Sequence, residues 1–176
     1  MKNLMVYGLA MLLSFFSNRV LAEGNDYQIE LMVFAQDMPN TEVFDQTESQ
    51  IKWPAGLTEL STYKQADTMA LADAYAALSK DPVYKPVIHI AWLQTIAEGA
   101  SSSPVHIQGA EGALNGFIRI QRGQTLQLIV DLEYAPGQAN SEAFIYRLNE
   151  NRRIKLNEVH YLDHPKFGVV AKISQL

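Results

Sequence analysis

The chain has 176 residues, 48% hydrophobic and 19% charged, and no cysteine. Disulfides, zinc-thiolate centres, iron–sulfur clusters and thiol nucleophiles are therefore excluded. Fourteen Lys and Arg against nineteen Asp and Glu leave a net charge of -5, which offers no basic surface to neutralise phosphates and argues against nucleic acid as the main partner.

Residues 1–22 begin with Lys2 near the start, run apolar over 4–16, and close on Val20-Leu21-Ala22 ahead of Glu23. This is the layout of a secretory signal peptide, with cleavage expected after Ala22. The apolar run is shorter than the roughly 20 residues that cross a bilayer. With no cysteine for a lipid anchor, the mature chain is expected to be soluble in the periplasm, without a transmembrane segment. Residues 23–176 are expected to form a single domain. Its charge is uneven: 4 basic and 13 acidic residues over 23–118, then 8 basic and 6 acidic over 119–176. The second part could face an acidic partner, although solvated strand faces explain the same numbers.

In chain order, Tyr27, Ile29, Leu31 and Val33 alternate with Gln28, Glu30, Met32 and Phe34, which predicts a strand over 27–36 with one apolar face. Residues 37–66 carry no sustained period and read as a long irregular connection with one short helical turn. Asp67 can cap a helix over 67–80, with Leu71, Ala74, Tyr75 and Leu78 on one stripe, stopped by Asp81-Pro82. Strands follow over 87–94 and 105–108, either side of the Gly99 to Pro104 loop. A hairpin is expected to pair 117–122 with 125–134 across Gly123-Gln124 in a two-residue type II′ turn, with Gln127, Asp131 and Glu133 on a wet face. A second would pair 143–148 with 154–162 across Asn149-Glu150-Asn151. A third passes through Asp163-His164-Pro165-Lys166 into 168–173. The expected fold is α+β: a mostly antiparallel sheet, a meander of hairpins, with one main helix over 67–80.

Side chains with chemical potential crowd into Glu158-Val159-His160-Tyr161-Leu162-Asp163-His164-Pro165. On an extended strand His160 and His164 stand about 13 Å apart, so a metal would need a third ligand from His89 or His106, and no metal or cofactor is expected. Asp163 is expected to accept turn amides in a structural role. There is no Gly-x-Ser-x-Gly elbow and no phosphate-binding glycine pattern. In Tyr84 to Gln94, His89 reads as a hydrogen-bonded core residue, and Trp92 as core or as a stacking platform for carbohydrate or amide ligands.

Four segments together resemble the CsiV family of periplasmic peptidoglycan-binding proteins. They are Tyr27-Gln28-Ile29-Glu30-Leu31-Met32-Val33-Phe34; the Tyr84 to Gln94 segment with His89, Trp92 and Gln94; the Gly116 to Tyr134 hairpin; and the stretch from Arg152-Arg153 through Glu158, His160-Tyr161, Asp163-His164-Pro165 and Phe167-Gly168. The resemblance implies a non-catalytic accessory protein that binds peptidoglycan and supports cell-wall synthesis, through an outer-membrane lipoprotein that activates a penicillin-binding protein. The candidate ligand-binding residues are His89, Trp92, Arg152, Arg153, His160, Tyr161 and His164. Arg119, Arg147 and Lys155 are further cations for stem-peptide carboxylates, and Trp53 is a further stacking ring. Two other readings stay open: a metal-assisted wall hydrolase using His160, Asp163 and His164, and a protein-binding scaffold of the envelope.

Overall fold

The computed structural model describes residues 25–36, 38, 39, 41, 43–137 and 144–176. The expected signal segment lies outside them. The strands are β1 (Asp26–Gln36), β2 (Thr58–Glu59), β3 (Tyr84–Thr95), β4 (Val105–Gly109), β5 (Leu114–Arg122), β6 (Leu126–Tyr134), β7 (Tyr146–Ile154), β8 (Val159–His164) and β9 (Phe167–Gln175), with the short helix α1 (Ala72–Leu78). One sheet has the order β3-β1-β9-β8 and the other β2-β4-β5-β6-β7. Among the described residues all strand pairings are antiparallel except β2 with β4.

The two sheets share one core. Tyr27, Ile29, Leu31 and Val33 of β1 meet Trp92, Leu162, Phe167, Val169, Ala171 and Ile173 in the first sheet and Ile107, Ile118, Ile120, Leu128, Val130 and Leu148 in the second. Period-two alternation aims these side chains inward from every strand, as in a sandwich. β1 is a central strand, paired with β3 on one side and β9 on the other. Gly116, at φ +148, lets β5 cross β6 closely, because a Cβ there would stand 2.1 Å from the Asp131 carbonyl oxygen.

A mostly antiparallel fold with a small helix matches the expectation broadly, but four local expectations are corrected. The helix spans only Ala72–Leu78 and buries none of its residues. Asp67 does not cap it; that carboxylate pairs with Lys64, 3.4 Å away. Glu30 of β1 instead accepts the Ala70 and Leu71 amides at 2.8 and 2.9 Å. A carboxylate suits that end of a helix, and this one arrives from a strand 40 residues earlier, beyond the reach of local pattern. Consequently Glu30, read on a polar face, is 1% exposed.

The β5–β6 turn is the second correction. Arg122 pairs with Leu126, leaving a three-residue connection, and Gly123 is not among the glycines with positive φ, as type II′ would require. Third, Asn149, Glu150 and Asn151 form no turn. They lie mid-strand in β7, opposite Asp131, Val130 and Ile129. An equally long partner strand supplies their backbone hydrogen bonds, which outweighs the turn preference of asparagine. Fourth, the wet face of β6 is not wet at Asp131 and Glu133, which are 4% and 5% exposed. The irregular segment 43–57 crosses over Glu133, while Arg147 covers Asp131. A 3-10 turn at Leu60–Thr62 follows it, where one short helical turn is expected.

Candidate functional site

Alternation divides the second sheet into a core face and an outer face. On the outer face, cross-strand rows place Arg153 beside Gln127 and Gln121, and Asn151 beside Ile129 and Arg119. Below them lie Asn149, Asp131, Phe117 and His106, then Arg147, Glu133, Asn115 and Gln108.

The segment 43–57 covers the lower rows. Gln46 Nε2 and the Gln50 amide donate to Glu133 Oε1 at 2.8 and 2.7 Å. Trp53 sets its ring edge-on to His106, with centroids 5.4 Å apart, and tilts over Phe117 at 6.3 Å. His106 is in turn held between Glu59 and Asn115. Trp53 keeps 45% of its surface exposed, so it stands as a wall at the border of the open rows. Arg147 donates from Nε and NH2 to the two Asp131 oxygens at 2.8 and 2.9 Å. That hydrogen bond, opposed by burial, raises the Arg147 guanidinium above its ordinary pKa.

The upper rows are open. Gln121, Asn151 and Arg153 are exposed, while Arg119, Gln127 and Ile129 are half-buried. A recess of about 280 Å³ lined by Gln121, Gly123, Gln124, Thr125 and Gln127 continues them toward the hairpin end. Arg119 Nε is buried without a hydrogen-bond partner, and no described residue forms an ion pair with Arg119 or Arg153. Two cations, three amide side chains and a bordering indole form a surface that can hydrogen-bond and ion-pair a polar ligand.

The expected site residues do not assemble into one place. Trp92 is 1% exposed, its indole N–H donating to Gln94 Oε1 at 3.2 Å, so it offers no stacking face. Gln94 is itself tied to the Tyr63 hydroxyl and the Ser103 carbonyl. His89 is buried under α1, 2.8 Å from Glu30 Oε1 and stacked on Tyr75. Arg152 and Arg153, adjacent in a strand, face opposite ways. Arg152 points to the core side, bonding Glu150 Oε1 at 2.7 Å and the Tyr161 carbonyl, and so closes the gap between edge strands β7 and β8.

His160 Nε2 accepts the Lys155 amide inside the β7–β8 connection. Tyr161 lies on the outer face of the first sheet, stacked on Phe34 at 6.0 Å. Its hydroxyl donates to Asp163 Oδ1 at 2.6 Å, and burial, with that bond, pushes its pKa up to about 12. Asp163 accepts no turn amide; its partners are the Tyr161 hydroxyl and Gln36 Nε2. His164 packs among Phe44, Tyr146 and Phe167, beside a cleft of about 330 Å³ lined in part by Gln36, Lys85, Tyr134 and Lys166. Alternation thus sets Asp163 on the opposite face of β8 from His160 and His164. Among the described residues no group of three or more His, Cys, Asp or Glu is placed to hold a metal ion.

Of the open rows, sequence reasoning singled out Arg119 and Arg153 through charge and Trp53 through its ring. Gln121 and Gln127 carry no signal beyond alternation, since uncharged amides on a strand resemble any solvated face, and Asn151 reads from sequence as part of a turn rather than of β7.

The family described as peptidoglycan-binding protein, CsiV, matches residues 59–176. The match runs from the last residue of β2 through β9 and takes in every residue of the open rows; β1 and Trp53 precede it. No curated protein and no solved structure matches the chain. No helix among the described residues is long and apolar enough to cross a membrane.

Proposed function

The chain belongs to the CsiV family of peptidoglycan-binding proteins, and from that premise we propose that it binds the cell wall through the open rows of the second sheet, without catalysing a reaction. The observation that carries this reading is the placing of Arg119 and Arg153, neither paired with an acid among the described residues, beside the amides of Gln121, Gln127 and Asn151. Guanidinium groups take carboxylates in forked hydrogen bonds, the amides can bond glycan hydroxyls or peptide groups, and Trp53 can stack on a sugar ring. In this reading the chain is exported, loses residues 1–22, and acts in the periplasm as an accessory to wall synthesis beside an outer-membrane lipoprotein activator of a penicillin-binding protein. His89, Trp92 and Arg152 serve the fold rather than the ligand.

Co-sedimentation of the mature protein with purified sacculi, with and without chelator, tests the proposal. Binding is expected, unchanged by chelator and weakened in the Arg119→Gln, Arg153→Ala double variant. Undiminished binding by that variant would move the site elsewhere. Release of soluble muropeptides would overturn the non-catalytic part. Mass spectrometry of the periplasmic form should show Glu23 as the first residue.

A further inference from the structure

We infer that the open face is a two-point clamp for the carboxylates of one wall stem peptide, the glycan strand being a secondary contact. This rests on the wall-binding reading above. The fold uses its other described arginines internally. Arg122 reaches Asn25 Oδ1 and the Ile96 carbonyl, Arg147 takes Asp131, and Arg152 takes Glu150 and the Tyr161 carbonyl. Arg119 and Arg153 have no such acceptor among the described residues, and Arg119 holds a buried Nε with no partner. A buried donor left unmade in a native fold calls for a reason, and an anion supplied by a ligand is one. In a chain of net charge -5, two cations without counter-ions on one sheet face give that face a local positive field.

Geometry sets the ligand's length. Arg119 on β5 and Arg153 on β7 are separated by the width of β6 and by one row along the strands, so their Cα atoms stand about 12 Å apart. A three-residue extended peptide spans about 10 Å, and flexible arginines make up the difference. Wall stem peptides carry free carboxylates a few residues apart, on the γ-linked glutamate, the diamino diacid and the terminal alanine; the acetylated sugars between stems are neutral. Gln127 lies between the two cations on β6, and Gln121 and Asn151 hold the other two corners of the patch, where amide side chains can pair with peptide N–H and C=O groups. Ile129 at the centre offers a small apolar contact for an alanine methyl.

The test uses the full mature protein and three soluble probes: the free stem tetrapeptide, the same peptide with its carboxylates amidated, and a neutral N-acetylglucosamine oligosaccharide. The tetrapeptide should bind and should compete the protein off sacculi, more strongly at low salt. Amidation should weaken it by about tenfold or more, as expected when a charged hydrogen bond is lost. Arg153→Ala, at an exposed position, and Arg119→Gln should each weaken the tetrapeptide by about tenfold and leave the amidated peptide unaffected. Should the oligosaccharide bind as tightly as the tetrapeptide, or amidation change nothing, the clamp is refuted while sacculus binding stands. Failure to bind sacculi at all removes both this inference and the reading beneath it.

Discussion

Arg147→Ala separates an arginine that holds the fold from one proposed to meet the wall, although both lie on the same sheet face. The Arg147 guanidinium is bidentate to Asp131, whose side chain is 5% exposed, whereas that of Arg147 is 21% exposed. Removing one partner of a buried pair typically costs about 3–5 kcal/mol, because the other charge is left without compensation. Here Arg147 is partly exposed and the truncation also opens a path for water to Asp131, which brings the cost down to about 2–3 kcal/mol. For a chain of this size that corresponds to a fall in Tm of roughly 5–10 °C.

The raised pKa of Arg147 adds a check on sign. A cation whose folded pKa exceeds its unfolded value contributes stability fully below the unfolded pKa, and loses it only as pH rises through the folded one. The deficit of Arg147→Ala should therefore be constant between pH 7 and pH 10. Urea and thermal denaturation of the wild type, Arg147→Ala, Asp131→Ala and the double variant measure it. The double variant should be less damaged than the sum of the singles. Arg153→Ala, made in parallel, should keep its Tm and lose affinity for sacculi. A drop below about 2 °C in Arg147→Ala, accompanied by a loss of sacculus binding equal to that of Arg153→Ala, would refute the division of labour.

Trp92→Ala should cost about 3–5 kcal/mol in denaturant titrations, as for a large side chain removed from a closed core, whereas Trp53→Ala should leave stability nearly unchanged and weaken sedimentation with sacculi. Equal stability loss in the two variants would contradict their burial. Glu30→Ala should loosen α1, since it leaves the Ala70 and Leu71 amides and His89 without their acceptor. A loss of about 3 kcal/mol is expected, at about 1–3 kcal/mol for each buried group left unpaired, and hydrogen exchange around residues 70–78 should rise before global unfolding. Tyr161, with a folded pKa raised from 10.0 to about 12, contributes stability that is intact below pH 10 and is lost as pH rises toward 12. Ultraviolet titration should show a late-ionising phenol missing in Tyr161→Phe, and that variant should lose less stability over the same interval. Asp163→Ala should cost only about 1 kcal/mol, because Gln36 Nε2 retains the His164 carbonyl at 2.8 Å.

What the sequence by itself determined was most of the strands, though not β2 or the unbroken run of β7, and the alternation of faces along those it marked. Alternation in 27–34 already separates Tyr27, Ile29, Leu31 and Val33 from Glu30 and Met32. The same period sets Arg152 and Arg153 on opposite faces of β7, and Asp163 on the opposite face of β8 from His160 and His164. The β8–β9 hairpin was legible for a similar reason, since Pro165 and Lys166 turn the chain between two apolar runs.

Which faces are covered was decided by tertiary structure alone, because coverage comes from segments remote in the chain. Glu30 is buried because the stretch leading into α1 brings two amides to it. Asp131 and Glu133 leave solvent because Arg147 and the segment 43–57 lie over them. Asn149-Glu150-Asn151 stays extended because β6 offers an unbroken ladder, and α1 shrinks to seven residues because its stripe finds a sheet edge instead of a core. The open rows emerge in the same way. They are what remains of a polar sheet face once the fold has satisfied its other described arginines, and a local pattern cannot show which cation will lack an anion among the described residues.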